Sequence, residues 1–493
     1  MHKLKITESE YQSDNEGLDD YKSVDVVVIG AGLAGLTAAF VLQKHSIQDP
    51  LRLAVLEATN GVGGRAKTAS LRTCDGTDSF DVGDCCIGQT HKHALGLLKE
   101  FGMKLQSDEN KQNAELKDII LSGSGKMPYF PEKSPSLQAI DYARTVAKLN
   151  GKLEKLSLTN VNTNPKYESL ISQSVSDLLN KVSRNRLTKD FFHWVCLRLT
   201  GQSAAETNAL YFLLVCLSHG NMNVVVDYCR NPGRVEGGLQ QLAHMLAESV
   251  GADVVRLNHK VIKVVREKDY LYVDTKNDKH FKCRRIIVAT SARDAAQIKF
   301  ERNLVGEKLT FLRDFPITTN AVFVCTYATA FWRYGGLSGT VLNCNNTEES
   351  LVLCVSDATS CNGNPALTGR INPRFSNLAK EDRLNRLIME LTKLLGPEAA
   401  ELMEYYESFQ GKLNGHATNA KQCKESLRFL DEHCRLPIWR IHWAGSYTAL
   451  ETIGCPNGAI RSGKRAAYEV LKNLAPIISQ EHLLEDLRFP QAK

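Results

Sequence analysis

From Val24 to Gln43 the chain reads VDVVVIGAGLAGLTAAFVLQ. Val26 to Ile29 is a short apolar run of strand character, and it leads directly into Gly30, Gly32 and Gly35. Beyond the glycines, Leu and Ala recur at helical spacing, which predicts a helix. A second apolar run, Leu51 to Glu57 (LRLAVLE), predicts a strand that ends on a carboxylate roughly 20 residues past the last glycine. Strand, glycine turn, helix and second strand complete a βαβ unit. A lone GxGxxG is weak, but in this setting it marks a dinucleotide-binding fold.

Each residue of the turn has a physical task. Gly30 makes the tight turn, Gly32 lets backbone approach a pyrophosphate, and Gly35 lets helix and strand pack closely. The helix start, with Leu33 and Ala34, presents backbone N–H groups and positive dipole to phosphate. Glu57 can accept from both ribose hydroxyls, and its charge repels a 2′-phosphate, so FAD or NAD is expected before NADP.

The next segment, LEATNGVGGRAKT at Leu56 to Thr68, resembles the LEA…GGR segment of the flavin amine oxidase family. There two glycines allow close backbone approach, and Arg65 beside Gly64 supplies a charge-assisted donor. The likeness continues through Phe80 to Gly88 (FDVGDCCIG), similar to the family's stretch beside the flavin ring and containing Gly83. It goes on through Gly233 to Leu239 (GRVEGGL) and through Val261, on a strand that contacts adenine in the family. Arg440 to Val470 resembles the closing strand, glycine turn and helix that complete the flavin site, with Gly445, Ser446, Gly454 and Ala459 against the cofactor. Phe331-Trp332-Arg333 followed by Gly339-Thr340 is similar to the monoamine oxidase branch.

The resemblance implies an α/β fold: a discontinuous, Rossmann-like FAD-binding domain with a second α+β substrate domain. Because the motifs are split, the cofactor domain is assigned to residues 22–100, 228–298 and 436–475, and the substrate domain to 101–227 and 299–435. Residues 1–21 read as a flexible leader and 476–493 as a C-terminal tail. The polar stretch Asn150 to Gln173 reads as a mobile connection between helices.

Composition narrows the class further. The chain of 493 residues is 43% hydrophobic and 24% charged, as in water-soluble globular proteins. A net charge of +6 without a dense Lys/Arg block gives no nucleic-acid or membrane patch. The most apolar run, Ala209 to Leu217, is far short of the roughly 20 residues that cross a bilayer. The acidic start lacks the chemistry of a secretory or mitochondrial signal. These features predict an intracellular, soluble, cytoplasmic protein with no membrane span, and they leave a homodimer open. The 14 cysteines are scattered without zinc-ligand spacing, so no metal is expected.

The implied reaction is FAD-dependent oxidation of a small-molecule amine, with hydride passing to flavin N5, an imine product and O2 reoxidation to H2O2. A lysine holding a water near N5 is typical of the family; ungapped matching puts Gln297 there, and a small shift puts Lys299 there. The covalent-flavin cysteine of monoamine oxidases has no counterpart, the matching stretch being Asn414-Gly415-His416-Ala417. Noncovalent FAD is therefore expected, with a His416 linkage as the alternative. The two tyrosines that flank the amine in the substrate pocket correspond to Ala417 and Cys455. Tyr447 replaces an acidic residue, and Pro456 removes an N–H available to the flavin. These departures keep two alternatives in view: a flavin-binding scaffold or regulator with little turnover, and an oxidase of an amino acid or polyamine.

Overall fold

The Val26–Ile29 run forms the middle strand of a five-stranded parallel sheet. In the computed structural model its neighbours are Arg285–Val288 and Leu53–Leu56, with Ile441–Trp443 and Val255–Arg256 at the edges. The structure describes residues 21–47, 49–106, 116–122, 125–129, 137–158, 167–230, 232–301, 304–315, 320–344, 350–410 and 432–474. Of the leader expected over residues 1–21 the structure describes Tyr21, whose hydroxyl donates to Asp274 Oδ1 at 2.8 Å; the rest of it, the expected tail, and His416 and Ala417 lie outside the described residues.

All four residues of Val26–Ile29 are buried, because both faces of the sheet are covered. On one face lie the helices Leu33–Lys44, Gln240–Val250 and Pro456–Leu474, whose Leu36, Leu42, Leu246 and Leu471 share a core with Val26 and Val28. On the other, Val27 and Ile29 pack with Val264, Val273 and Phe281 of a second sheet. That sheet runs Lys22–Ser23, His280–Cys283, Tyr270–Thr275, Val261–Glu267 and Lys299–Phe300 in spatial order. Each fully buried Leu, Ile or Val contributes about 1.5–3 kcal/mol relative to exposure.

A seven-stranded mixed sheet stands apart, in the order Leu402–Gln410, Asn320–Tyr327, Ala366–Ile371, Val352–Asp357, Leu337–Asn343, Lys117–Ser122 and Gly125–Tyr129. Strand alternation divides its residues cleanly. Ile119, Val341 and Val355 face the Lys380–Leu395 helix, whereas their neighbours Ile120, Leu342 and Cys354 face a helical cluster. That cluster contains Leu137–Leu153, Val175–Val182, Arg186–Thr200, Ala209–Ser218 and Met222–Arg230.

The Ala209–Leu217 run is thus a core helix. Among the described residues no single helix is long and apolar enough to cross a membrane, although Ala209–Ser218 and Met222–Arg230 pass such a test together across an 84° bend. Of the Asn150–Gln173 stretch the structure describes both ends, 150–158 and 167–173. The first residues of the stretch finish the Leu137–Leu153 helix, Glu168–Ile171 is helical, and the Asn150 side chain accepts from Met222 N–H at 2.8 Å. Asn150 thus serves the start of another helix, a use of Asn that composition alone does not separate from a loop.

Phe331-Trp332-Arg333 has a structural task. Trp332 is fully buried, and both Trp332 Nε1 (2.9 Å) and Arg333 Nη2 (2.8 Å) donate to Asp357.

Candidate functional site

The first glycine turn is closed on one side and open on the other. Gly30 has φ +105°, and a Cβ on Gly35 would lie 2.0 Å from Gly30 O, so these two positions admit only glycine without displacement. Gly32 differs: its backbone is extended (φ −77°, ψ 176°), and a Cβ there would meet nothing nearer than Gly64 Cα at 3.9 Å.

Gly32 caps the Leu33–Lys44 helix without a side-chain bond. Leu36 N–H reaches Gly32 O at 3.0 Å, so the N–H groups of Leu33, Ala34 and Gly35 are the orphan donors of the first turn. With the helix dipole behind them they fit a phosphate.

The second glycine turn closes against this opening. Gly63 N–H donates to Ala31 O at 2.9 Å, and Arg65 follows Gly64. Arg65 Nη1 reaches Asp84 Oδ2 at 3.1 Å, while Nη2 reaches Ser446 Oγ at 2.5 Å and Gly454 O at 3.3 Å. Segments almost 400 residues apart in sequence thereby meet beside Gly32. Gly83 is held in the same place, since Val82 N–H donates to Lys67 O (2.8 Å) and Asp84 N–H to Arg65 O (2.9 Å).

Glu57 sits at the end of its strand. Its Oε2 accepts from Ala31 N–H at 2.8 Å, and Oε1 accepts from Thr59 N–H (2.9 Å) and Thr59 Oγ1 (2.8 Å). The strand leading to Val261 runs alongside, with His259 N–H donating to Glu57 O at 2.6 Å. Val261 is buried beneath it.

In the closing segment Gly445 N–H donates to Ser462 Oγ at 2.9 Å, and Gly454 N–H to Ser446 O at 3.2 Å. Pro456 is the first residue of the final helix, where a missing N–H costs nothing. Ala459 N–H bonds Cys455 O in its first turn. Tyr447 is buried against Phe315 (5.4 Å between rings), with its hydroxyl unpartnered.

A polar cluster covers the Cys455 side. Tyr228 Oη lies 3.2 Å from Cys455 Sγ, and His219 Nε2 lies 3.8 Å from it. His91 packs with tilted ring against both aromatic neighbours, 5.1 Å from Tyr228 and 6.0 Å from His219 between ring centres. Burial pushes the Cys455 thiol up to about 12 and lowers the His91 and His219 imidazoles to about 4 and about 3, so at neutral pH all three are uncharged. Arg198 Nη2 reaches Cys86 Sγ at 3.3 Å from the facing helix.

Gln297 and Lys299 are both exposed, Gln297 in the turn that ends a short helix and Lys299 at the start of the strand that follows, with Ile298 buried between them. Lys299 pairs in register with Lys263 at the edge of the second sheet. Among the described residues no hydrogen bond or ion pair links either side chain to the Arg65–Ser446 cluster.

Sequence reasoning passed over Asp84, His91, Arg198, His219 and Tyr228. One signal was present: Arg198 lies three and four residues after Val195 and Trp194, on the buried face of its helix, where a charge is anomalous.

The family model described as "Flavin containing amine oxidoreductase" matches residues 33–471. The chain is 26% identical over 483 residues to "Amine oxidase [flavin-containing] A" of Equus caballus, covering 95% of this chain and 88% of the horse protein. It is 25% identical to "Probable flavin-containing monoamine oxidase A" of Dictyostelium discoideum, covering 91% of this chain and 98% of that protein. Among solved structures, putrescine oxidase bound to putrescine superposes with a TM-score of 0.79 at 24% identity, over 92% of this chain and 100% of that one. Cyclohexylamine oxidase from Brevibacterium oxydans IH-35A gives 0.78 at 22%, again over 92% and 100%.

Proposed function

The chain belongs to the flavin-containing amine oxidoreductases, and from that premise we propose that it oxidises an amine with FAD held noncovalently. The observation that carries this reading is the convergence of Gly32, Gly64, Arg65, Ser446 and Gly454 around one opening at a helix N-terminus. Glu57 stands at its ribose end.

When bound, FAD would supply the redox chemistry: a two-electron acceptor for the hydride on the carbon next to nitrogen, reoxidised by O2 to give H2O2, with the imine released to hydrolysis by water. The residues of the chain hold and orient. Leu33, Ala34 and Gly35 N–H and Arg65 would bind the pyrophosphate, and Glu57 the ribose hydroxyls. Segments 22–100, 228–298 and 436–475 would carry this work, while segments 101–227 and 299–435 would cover the reacting face. The uncharged Cys455, Tyr228 and His219 make a desolvated wall, which favours the neutral amine required for hydride loss. Lys299 or Gln297 remains the proposed water-holding residue near N5.

Family membership over most of the chain favours turnover above a binding-only scaffold. The test is anaerobic: the yellow holoenzyme is mixed with primary, secondary and poly-amines while the oxidised flavin band is followed. Bleaching by one class, reversed by air with peroxide released, is expected. A fully loaded protein that no amine or amino acid bleaches would refute the proposal.

A further inference from the structure

We propose that Cys86 and Cys455 are a peroxide-modified pair: H2O2 made at the flavin oxidises Cys86, Cys455 closes a disulfide onto it, and turnover stops. This rests on the amine-oxidising reading above and adds a modification site to it.

Four cysteines gather around Arg198 and Tyr228. Cys86, Cys229 and Cys354 lie within electrostatic reach of the Arg198 guanidinium, and Cys86 and Cys455 within that of the Tyr228 hydroxyl. Cys86 is also within reach of Cys455 itself. All four are free thiols.

They are not equivalent. Cys229 and Cys354 are buried, and burial pushes the Cys229 and Cys455 thiols up to about 12, which makes both poor nucleophiles at neutral pH. Cys86 is partly exposed, and Arg198 Nη2 lies 3.3 Å from its Sγ. Among the described residues that sulfur is the one hydrogen-bond partner of the Arg198 guanidinium. Sulfur is a weak acceptor, so a charged donor stands ready for an oxygen anion formed on it. By the resemblance, Cys86 lies in the stretch beside the flavin ring and Cys455 takes the place of a tyrosine flanking the amine. Peroxide released there meets Cys86 first.

In the first step the Cys86 sulfur attacks one peroxide oxygen. An S–O bond forms, the O–O bond breaks, and the departing hydroxide takes the thiol proton as water, so that sulfur is oxidised to sulfenic acid and peroxide is reduced. Arg198 holds the new oxygen. In the second step the Cys455 sulfur attacks that of Cys86: the S–S bond forms, the S–O bond breaks, and the departing hydroxide leaves with the Cys455 proton as a second water. Proximity here replaces the nucleophilicity that Cys455 lacks toward free peroxide. The bridge draws Cys455 from Tyr228 Oη, 3.2 Å away, and from His219 Nε2, 3.8 Å away, and so dismantles the wall proposed for the amine.

The test treats the FAD holoenzyme with H2O2 in the absence of amine, blocks the remaining thiols and maps the linked peptides by mass spectrometry. A Cys86–Cys455 link that dithiothreitol removes is expected. During turnover the rate should fall as peroxide accumulates, catalase should prevent the loss, and dithiothreitol should reverse it. In Cys86→Ser the link should be absent, and the loss, measured against that variant's own initial rate, should slow about tenfold or more. Arg198→Gln keeps all four thiols and should slow the peroxide reaction, with Arg198→Lys restoring part of it.

Peroxide that leaves Cys86 and Cys455 unlinked, or that links Cys86 to Cys229 or Cys354 instead, would overturn this inference, as would turnover whose decline catalase does not prevent; the amine oxidase reading would stand. A Cys86–Cys455 link formed by added peroxide in a holoenzyme that no amine bleaches would keep the thiol pair and sink the oxidase reading.

Discussion

Two glycines of one turn should fail in opposite ways when each gains a single methyl group. In Gly35→Ala the new Cβ falls 2.0 Å from Gly30 O and 3.2 Å from Ala289 Cβ, with backbone on one side and sheet on the other. Carbon and oxygen need more than 3 Å, so the Leu33–Lys44 helix must lift by over 1 Å from a core that it packs tightly. Overpacking typically costs about 1–3 kcal/mol, and this contact belongs at the upper end. Gly32→Ala meets nothing within 3.9 Å and already has extended backbone, so the apoprotein should keep its stability. Its methyl group, however, would stand in the opening where a pyrophosphate held by the orphan N–H groups would have to approach. Losing about two charge-assisted hydrogen bonds in part costs about 3 kcal/mol, or roughly 100-fold in FAD affinity. Thermal melting of the apoproteins and FAD titration by flavin fluorescence separate the two. If Gly32→Ala binds FAD like the parent, or Gly35→Ala melts with it, the assignment of this turn is refuted.

Further outcomes follow from the same geometry. Glu57→Gln keeps the shape but removes the charge that accepts from Ala31 and Thr59, and FAD affinity should fall about tenfold or more, read by the same titration. Arg383 and Glu407 form a buried pair (side chains 9% and 7% exposed), so Glu407→Met, leaving the guanidinium uncompensated, should cost about 3 kcal/mol in urea unfolding. Although burial alone would raise the Glu407 pKa, hydrogen bonds from Arg383 and Tyr405 hold the carboxyl below its usual range. Its contribution is thus present above the unfolded pKa of about 4.3 and is lost as pH falls through the depressed folded value; Glu407→Met should flatten the acid limb of the stability profile. His91 and His219 act in a higher window. Their folded pKa values, about 4 and about 3, lie below the unfolded 6.5, so the unfolded state gains protons first and stability should fall as pH drops below 6.5. A His91→Phe, His219→Phe variant that loses the same stability between pH 6.5 and 4 would disprove that origin. Precipitation of the holoenzyme with acid should leave the yellow colour in the supernatant, and colour remaining with the protein would show a covalent link.

The cofactor half of the protein was legible because its residues obey local rules. A parallel strand buried on both faces reads as Val26–Ile29, a close helix crossing requires glycine at Gly35, and a carboxylate follows the next strand at Glu57, turned back onto the glycine turn. The closing helix was equally plain, its Ile460, Ala467, Val470 and Leu471 being buried at helical spacing. Within the Asn150–Gln173 stretch the role of Asn150 was not legible, because Asn serves loops and caps alike, and only the partner, Met222 N–H, separates the two.

By itself the sequence determined that a dinucleotide fold is present, where its turn lies and which family pattern the later motifs follow, since each depends on neighbours within a few residues. Only the tertiary structure decided what stands opposite that turn. Arg65 meets Ser446 and Gly454 across almost the whole chain, and Arg198 on a helix comes beside Arg370 on a strand with Asp84 between Arg370 and Arg65. No local spacing encodes such meetings. They are fixed when separate apolar faces bury against one another and carry their few charged side chains into the same cleft.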